Sequence, residues 1–367
     1  MGPVELRIGF DARAAFLDPY RGFGRFARSV AGALLEQAGE RLTLFVPQGS
    51  AVPQNWYAAA REVVELTRPR RGAFLWDPLA WRWTLNRHPV EVLHLPAWGV
   101  PPALEVPVVA TFHDATPLRF RSPPQRWARH RAAAAIRSLR RATLVQAVSQ
   151  YARSELVSQV ELAPGKVRAV LSGVGPPFSP APEPIAPRHL LYVGAADPHK
   201  NLLVLLQLLD QPGAERLPPL VVAGPAARDS GFLAHSEKLR RLGRLRLVPA
   251  ATDEELVALY RSALALVFPS RNEGFGLPAL EAMACGCPVV AARAGALPEV
   301  CGAAALLLDP DRPELWHDAL VQLVEDPLKR AEWARRSLER ASQMSWNRTA
   351  AGLLELYREA ASEDSRP

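Results

Sequence analysis

Short apolar runs alternate with helical patterns twice along this chain of 367 residues. In the first series, apolar runs predict strands at residues 6–10, 42–46, 92–95, 106–112 and 143–148, and helical patterns predict helices at 24–37, 124–140 and 150–159. A second series predicts strands at 189–193, 220–223, 245–248, 263–268, 288–292 and 304–308, with helices at 202–209, 253–261, 278–285 and 313–323. Strands that alternate with helices indicate parallel sheets covered on both faces. The chain is therefore predicted to form two similar Rossmann-like α/β domains.

A proline-rich segment separates the two series. Residues 174–188 contain six prolines, which fix φ and lack an N–H donor, so we expect a stiff, extended linker. The predicted division is residues 1–175 for the first domain, 176–188 for the linker and 189–345 for the second domain. Residues 346–367 are predicted to form a C-terminal helix, for which packing back on the first domain is one arrangement. Ligands of such sheets bind at the carboxyl ends of the strands, so the cleft between the domains is the expected site.

The charge and cysteine content limit the classes of protein. The net charge is +7 and the pI about 9.7, which indicates either an arginine-rich composition bias or an attraction for anions. No recognised nucleic-acid-binding module accompanies this charge. Three cysteines without C-x-x-C spacing indicate neither a zinc ribbon nor a disulfide framework. The N-terminus lacks the apolar core of a signal peptide, and no run approaches the ~18 apolar residues of a membrane span. These features predict a cytoplasmic protein, and peripheral contact with the inner membrane face stays open.

The segment from residue 269 to 290 carries the strongest functional pattern. Glu273 and Glu281 stand on either side of a Gly-Phe-Gly turn, and Pro278 suits the first helical position. Glycines let backbone N–H groups approach a ligand, and the positive end of a helix favours phosphate. Carboxylates instead accept hydrogen bonds from hydroxyls, so the combination fits a nucleotide sugar. In the alternative interpretation, Glu281 complements the helix dipole and Glu273 is a solvated loop acid.

This segment resembles the Glu-Gly-Phe-Gly-Leu-Pro-x-Leu-Glu element of retaining glycosyltransferase family 4, which has the two-domain GT-B fold. The resemblance implies that Glu273 contacts the donor sugar as a catalytic residue and that Glu281 holds the ribose hydroxyls. It also places backbone groups beside the diphosphate and sugar. These groups belong to Gly274, Phe275, Gly276 and Leu277.

The stretch at residues 191–202 resembles the family segment whose basic residues neutralise the donor diphosphate. Lys200 matches the family lysine, and this chain keeps a lysine here although 40 of its 44 basic residues are arginine. Many relatives have an arginine where this chain has His199. That phosphate contact is therefore either missing or supplied by Arg271 or Arg25. Ala251 lies where relatives contact the base through backbone.

In the first half, His113 follows a strand and resembles the family histidine that lines the cleft against the transferred sugar. The glycine-rich stretch after the first strand resembles the family loop that closes on the donor phosphate and sugar. Its predicted donor-binding residues are Gly22, Phe23, Gly24 and Arg25.

Two further charged patterns have less specific interpretations. Asp309-Pro-Asp311 is a literal Asp-x-Asp, but it follows a strand and precedes Pro313, so turn formation explains it and neither a metal nor another cofactor is expected. The segment that begins at Arg126 and ends at Arg141 is a basic helix. It indicates a solvated face, a contact with anionic membrane lipid, or a site for an anionic acceptor.

The resemblance implies a retaining hexosyltransferase. It would move a hexose, with mannose as the first candidate, from a GDP- or UDP-linked donor to a hydroxyl of a glycan or lipid-linked acceptor. Two alternatives stay open: a GT-B epimerase or phosphorylase, and a non-catalytic nucleotide-sugar-binding subunit. A nucleic-acid partner is not expected.

Overall fold

The computed structural model describes residues 6–19, 22–67, 73–97, 99–119 and 126–363. Their contacts divide the chain into two compact units. Unit 1 contains the described residues up to Leu118, those from Arg126 to Ser172, and those from Trp346 onward; unit 2 contains Gly173–Ser345 and Arg119. The last helix of the chain therefore belongs to unit 1.

Unit 1 is built on a seven-stranded, wholly parallel sheet with the order β3-β2-β1-β4-β5-β6-β7. The strands are β1 Ile8–Asp11, β2 Leu42–Pro47, β3 Glu62–Leu66, β4 Val92–Leu95, β5 Val108–Phe112, β6 Leu144–Ala147 and β7 Val167–Ala169. Its helices are α1 Ala14–Leu17, α2 Gly22–Ala38, α3 Gln54–Ala59, α4 Ala73–Arg87, α5 Thr116–Arg119, α6 Arg126–Ser138 and α7 Gln150–Val160. The central strands are buried along their whole length, as strands covered on both faces must be.

Unit 2 repeats this plan with six parallel strands in the order β10-β9-β8-β11-β12-β13. The strands are β8 His189–Val193, β9 Leu220–Ala223, β10 Leu245–Val248, β11 Ala263–Phe268, β12 Val289–Ala292 and β13 Leu306–Leu308. Its helices are α8 Leu203–Leu209, α9 Ser230–His235, α10 Glu237–Arg241, α11 Asp253–Arg261, α12 Leu277–Ala284, α13 Leu297–Cys301, α14 Pro313–Glu325 and α15 Pro327–Ser342. The predicted fold class, two parallel Rossmann-like α/β sheets, is confirmed.

The last helix, α16 (Trp346–Glu363), is joined to the sheet of unit 1 by a buried polar network. The hydroxyl of Tyr357 lies 2.6 Å from Nδ1 of His94 on β4, and Nε2 of His94 lies 2.8 Å from the hydroxyl of Thr111 on β5. Thr111 in turn donates to Gln146 on β6 at 2.7 Å. Burial lowers the pKa of His94 to about 3, so the imidazole is neutral at physiological pH.

Several elements were not predicted because their sequences lack a recognisable apolar run or helical period. Strand β3 lies at the sheet edge and carries Glu62 and Glu65, so it lacks the continuous apolar run of the central strands. Helix α3 and helices α9 and α10 have only six, six and five residues, too few for a helical period to be recognised. Within the described ranges, no helix has the length and apolar composition that a bilayer span requires.

Candidate active site

The strand order reverses between β8 and β11, which makes their carboxyl ends the expected ligand site of unit 2. The loop after β8 contains Lys200 and the loop after β11 contains Glu273. Because the two strands are neighbours, these side chains meet, and Nζ of Lys200 donates to Oε1 of Glu273 at 2.7 Å. Their side chains are only 20% and 10% exposed, so solvent screens the ion pair poorly. The ammonium also lies 5.8 Å from the ring centroid of Phe268, the last residue of β11.

The two loops are also joined through their backbones. The N–H of Arg271 donates to the carbonyl of His199 at 2.7 Å. Asn201 has a left-handed conformation with φ 54°, and its Nδ2 donates to the carbonyl of Pro310 at 2.7 Å. These contacts fix the direction in which Lys200 leaves its short 3-10 helix, Pro198–Lys200. His199 itself is buried.

The side chain of Arg271 has a partner other than phosphate. Its Nε lies 2.9 Å from Oδ1 of Asp311, and its Nη2 contacts the same oxygen. Asp309 Oδ1 accepts the N–H of Asp311 at 2.9 Å, which makes the Asp-Pro-Asp segment a turn that binds an arginine. Among the described residues, no group of three or more His, Cys, Asp or Glu side chains could hold a metal ion.

Gly295, which sequence reasoning missed, positions the backbone of Glu273. It lies after β12 with φ 60°, and a Cβ added there would be 2.6 Å from the nitrogen and 2.8 Å from the carbonyl oxygen of Glu273. The next residue, Ala296, donates its N–H to that carbonyl at 2.9 Å. A glycine just beyond a strand end was the available signal, but its partner 22 residues away could not be read from the sequence.

Helix α12 begins directly after the Gly274-Phe275-Gly276 turn. Gly276 is its N-cap with φ 98°, and a Cβ there would lie 2.7 Å from a side-chain carbon of Leu297, so both conformation and space require glycine. The first N–H groups of a helix have no partner within the helix. The amides at Gly276 and Leu277 therefore make this end of α12 suited to a phosphate or an electron-rich oxygen.

Glu281 lies one turn into α12 and is buried, with 5% exposure. The hydroxyl of Tyr260, near the end of α11, donates to Oε2 of Glu281 at 3.0 Å. The carboxylate is thus a buried group with a specific donor. Ala251 lies in the turn between β10 and α11, directly before Thr252, whose side chain caps α11 together with Glu255.

In unit 1, the predicted glycine-rich loop is the first turn of a helix. Gly22, Phe23, Gly24 and Arg25 all belong to α2, which begins two residues earlier than predicted. A Cβ at Gly24 would lie 2.0 Å from the carbonyl oxygen of Asp18, which only glycine avoids. Arg21, the residue before this turn, lies outside the described residues.

His113 follows β5 and contacts this turn. Its ring centroid lies 6.4 Å from that of Phe23 and 5.1 Å from that of Phe26. Burial lowers the pKa of His113, so the ring is neutral, and its Nε2 lies 2.8 Å from the carbonyl oxygen of Pro96. A carbonyl only accepts, so Nε2 carries the proton and Nδ1 is left as the acceptor.

An ion pair that was not predicted from the sequence lies at the end of strand β1. Arg13 donates from Nε and Nη2 to the two carboxylate oxygens of Asp11, both at 2.8 Å, and both side chains are largely buried. The guanidinium also lies 5.2 Å from the ring centroid of Trp81. An acidic residue at the end of a buried strand was the signal that could have indicated this pair.

Two family descriptions match the chain. Residues 180–340 match Glycosyl transferases group 1, and residues 20–176 match Glycosyltransferase Family 4. The chain is 31% identical over 314 residues to an O-antigen chain mannosyltransferase B of Escherichia coli, over 81% of this chain and 79% of the relative. It is 38% identical over 194 residues to a D-inositol 3-phosphate glycosyltransferase of Corynebacterium efficiens, over 49% of this chain and 45% of that relative.

Solved structures share the fold along nearly the whole chain. A sucrose-phosphate synthase from Thermosynechococcus elongatus superimposes with a TM-score of 0.77 at 20% identity, over 97% of this chain and 99% of that one. The HepE protein of Anabaena, solved with UDP and glucose, superimposes with a TM-score of 0.73 at 18% identity, over 96% and 99%. With the mannosyltransferase relative and both family matches, these likenesses establish that the chain belongs to glycosyltransferase family 4 and is a glycosyltransferase of the GT-B fold.

Proposed function

We propose that this glycosyltransferase is a retaining hexosyltransferase that uses a nucleoside diphosphate sugar. The supporting observation is the arrangement at the strand ends of unit 2: a Lys200–Glu273 ion pair close to the N-terminus of α12, with Glu281 one turn inside the helix. An ammonium and helix amides suit a diphosphate, whereas buried carboxylates suit hydroxyls. A nucleotide sugar offers both groups in one molecule.

The ion pair gives Lys200 and Glu273 complementary roles. When a diphosphate enters, it competes with Glu273 for the ammonium, and the carboxylate can turn to a hydroxyl of the sugar. Lysine is suited to this exchange because it is a compact cation on a flexible stem. Lys200 and the amides of residues 274–277 then stabilise the negative charge that grows on the departing diphosphate.

The transfer needs no protein base. A bond forms between the acceptor oxygen and the anomeric carbon on the face that the diphosphate leaves, and the bond from that carbon to the phosphate oxygen breaks. The departing phosphate oxygen takes the proton of the acceptor hydroxyl. We propose that no metal ion or other cofactor takes part, since Lys200 and the start of α12 supply the positive charge.

The residues of unit 1 keep the roles that the family resemblance implies. His113 orients the sugar through Nδ1, and the turn from Gly22 to Arg25 contacts the donor. In unit 2, Ala251 is proposed to contact the base through its backbone.

Mannose is the first candidate sugar because the Escherichia coli relative is named as a mannosyltransferase. The Anabaena structures are of a protein that binds UDP and UDP-glucose, so GDP and UDP are both candidate carriers. The acceptor is proposed to be a hydroxyl of a glycan or a lipid-linked glycan.

For a lipid-linked acceptor, helix α6 is the proposed contact with an anionic membrane surface at the cytoplasmic face. Arg140 and Arg141, which follow α6, each donate a hydrogen bond to a backbone carbonyl of unit 1, so we expect these two side chains to stabilise the fold. Among the α6 side chains that the structure describes, Arg131 and Arg137 are exposed, and they are the proposed contacts with phosphate headgroups.

The test is thermal stabilisation by UDP, GDP, ADP and dTDP, followed by donor turnover. A ligand that binds only the native state raises the midpoint of unfolding. We expect one nucleotide to stabilise the protein, Glu281→Ala to abolish the effect, and the matching GDP-mannose or UDP-glucose to release that nucleotide when an acceptor is present. If none of the four nucleotides raises the midpoint, the proposal is wrong.

A further inference from the structure

Tyr260 is a fully buried tyrosine whose hydroxyl reaches a functional residue. It has 0% exposure and lies in the last turn of α11, and its hydroxyl donates to Oε2 of Glu281 at 3.0 Å. A buried phenol needs a hydrogen-bond partner, and many acceptors would serve. Here the partner is the carboxylate proposed to hold the donor ribose.

This hydrogen bond restricts the orientation of Glu281. A glutamate side chain has three rotatable bonds, and loss of that freedom on binding a ligand costs free energy. A carboxylate can accept about four hydrogen bonds, and the bond from Tyr260 takes one of these positions. The tyrosine can therefore set the direction of the carboxylate before a nucleotide arrives.

The tyrosine ring is itself held by the proline-rich segment. The ring centroid of Phe178 lies 6.1 Å from that of Tyr260 at an interplanar angle of 69°, an edge-to-face contact. The neighbouring Arg261 donates to the carbonyl of Ser179 at 2.8 Å and to its hydroxyl at 3.0 Å. Two consecutive residues of α11 thus bind two consecutive residues of that segment, which fixes the position of the phenol.

We propose that Tyr260 is a positioning residue for nucleotide recognition: its hydroxyl holds the Glu281 carboxylate in the orientation that accepts hydrogen bonds from the ribose, and Phe178 holds the tyrosine ring in place. This inference rests on the ribose-binding role that the proposed function gives to Glu281. It adds a residue that does not touch the ligand but determines how strongly the enzyme distinguishes a ribonucleotide from its deoxy analogue.

The test is the affinity ratio between ribonucleotides and deoxynucleotides in Tyr260→Phe, which removes one hydroxyl and keeps the ring. Titration calorimetry would give Kd for UDP, GDP and ADP and for their 2′-deoxy and 3′-deoxy counterparts. The parent protein is expected to prefer the ribonucleotide. Tyr260→Phe is expected to reduce that preference between about twofold and tenfold, the range for losing one ordinary hydrogen bond. Binding of the deoxy forms, which offer Glu281 one hydroxyl fewer, should weaken less than binding of the ribonucleotides.

Tyr357→Phe is the matched control, because Tyr357 is also fully buried and hydrogen-bonded but lies on α16 of unit 1. Its ribose preference should equal that of the parent. Phe178→Leu keeps the hydroxyl but loosens the ring, and it should give a smaller loss of preference. If Tyr260→Phe folds poorly, Phe178→Leu still tests whether the position of the tyrosine ring affects the ribose preference.

Variants of Glu281 distinguish the ribose-binding role of Glu281 from the positioning role of Tyr260. If Glu281→Gln removes the ribose preference while Tyr260→Phe and Phe178→Leu both retain it, the positioning role is overturned and the ribose-binding role stands. The amide oxygen of Glu281→Gln can still accept from a hydroxyl. If Glu281→Ala, which has no acceptor, also retains the preference, Glu281 does not bind the ribose, and the positioning role is overturned with it. Equal weakening of ribo and deoxy forms in Tyr260→Phe would indicate a purely structural residue and would also overturn the proposal.

Discussion

Gly295→Ala should damage sugar recognition by moving the backbone of Glu273. The added Cβ would lie 2.6 Å from the Glu273 nitrogen, whereas ordinary contact begins at 3.4 Å, so the two segments must separate by about 0.8 Å. The neighbouring atoms are backbone, which cannot rotate away as a flexible side chain can. A shift of this size in a positioned catalytic group can lower the rate by up to about a hundredfold. The φ of 60° adds about 1 kcal/mol of strain for alanine.

The chain offers a matched control for the strain. Gly286 has a φ of 73°, but a Cβ there would meet only side-chain carbons of Leu338, at 3.7 Å. Gly286→Ala should therefore introduce a similar conformational strain in the backbone without moving Glu273. Both variants should lower the midpoint of thermal unfolding by a few degrees, and only Gly295→Ala should impair the site.

The assay compares the binding of a nucleotide sugar with that of its nucleotide, together with donor turnover. Because Glu273 is expected to contact the sugar and Glu281 the ribose, Gly295→Ala should weaken GDP-mannose or UDP-glucose binding and lower turnover about 10- to 100-fold. The affinity for GDP or UDP should change little. The reasoning fails if Gly295→Ala retains the parent's turnover, or if Gly286→Ala loses as much.

Three further predictions concern other parts of the chain. Gly24→Ala should destabilise unit 1 by about 2–3 kcal/mol in urea unfolding because its Cβ would overlap the Asp18 carbonyl. Gly22→Ala should destabilise it much less, because a Cβ there would have no atom within 4 Å. Equal losses of stability in the two variants would contradict this prediction. The pKa of His94 is about 3 when folded and 6.5 in the ordinary case, so the unfolded chain binds the proton first as pH falls. Because of this residue, the free energy of unfolding should therefore fall by about 2 kcal/mol between pH 7 and pH 5. If the free energy of unfolding of His94→Gln falls by the same amount over this range, the prediction is wrong. Lys200→Met should lower donor turnover about 100-fold or more with metal chelator present or absent; a requirement for added metal ions would refute the metal-independent mechanism.

Much of the fold was determined by the sequence alone. Apolar runs and helical periods reflect contacts between near neighbours in the chain, so the central strands and most of the long helices were predicted within a few residues, although the 15-residue helix α4 was not. The same holds for the start of α12, because Gly276 and Pro278 act through their own backbone preferences. Other unpredicted elements, such as β3 and α9, are short or lie at an edge, where burial imposes little periodicity.

The tertiary structure decided which side chains meet. Lys200 and Glu273 are 73 residues apart, and they pair only because β8 and β11 are neighbours in the sheet order. The same applies to Tyr260 with Glu281 and to Gly295 with the Glu273 backbone. The family motif marked Lys200, Glu273 and Glu281 as candidates, and their chemical roles stay predictions. The adjacent sequence does not show which residues hold them in place, because a supporting contact depends on how strands are ordered and helices packed.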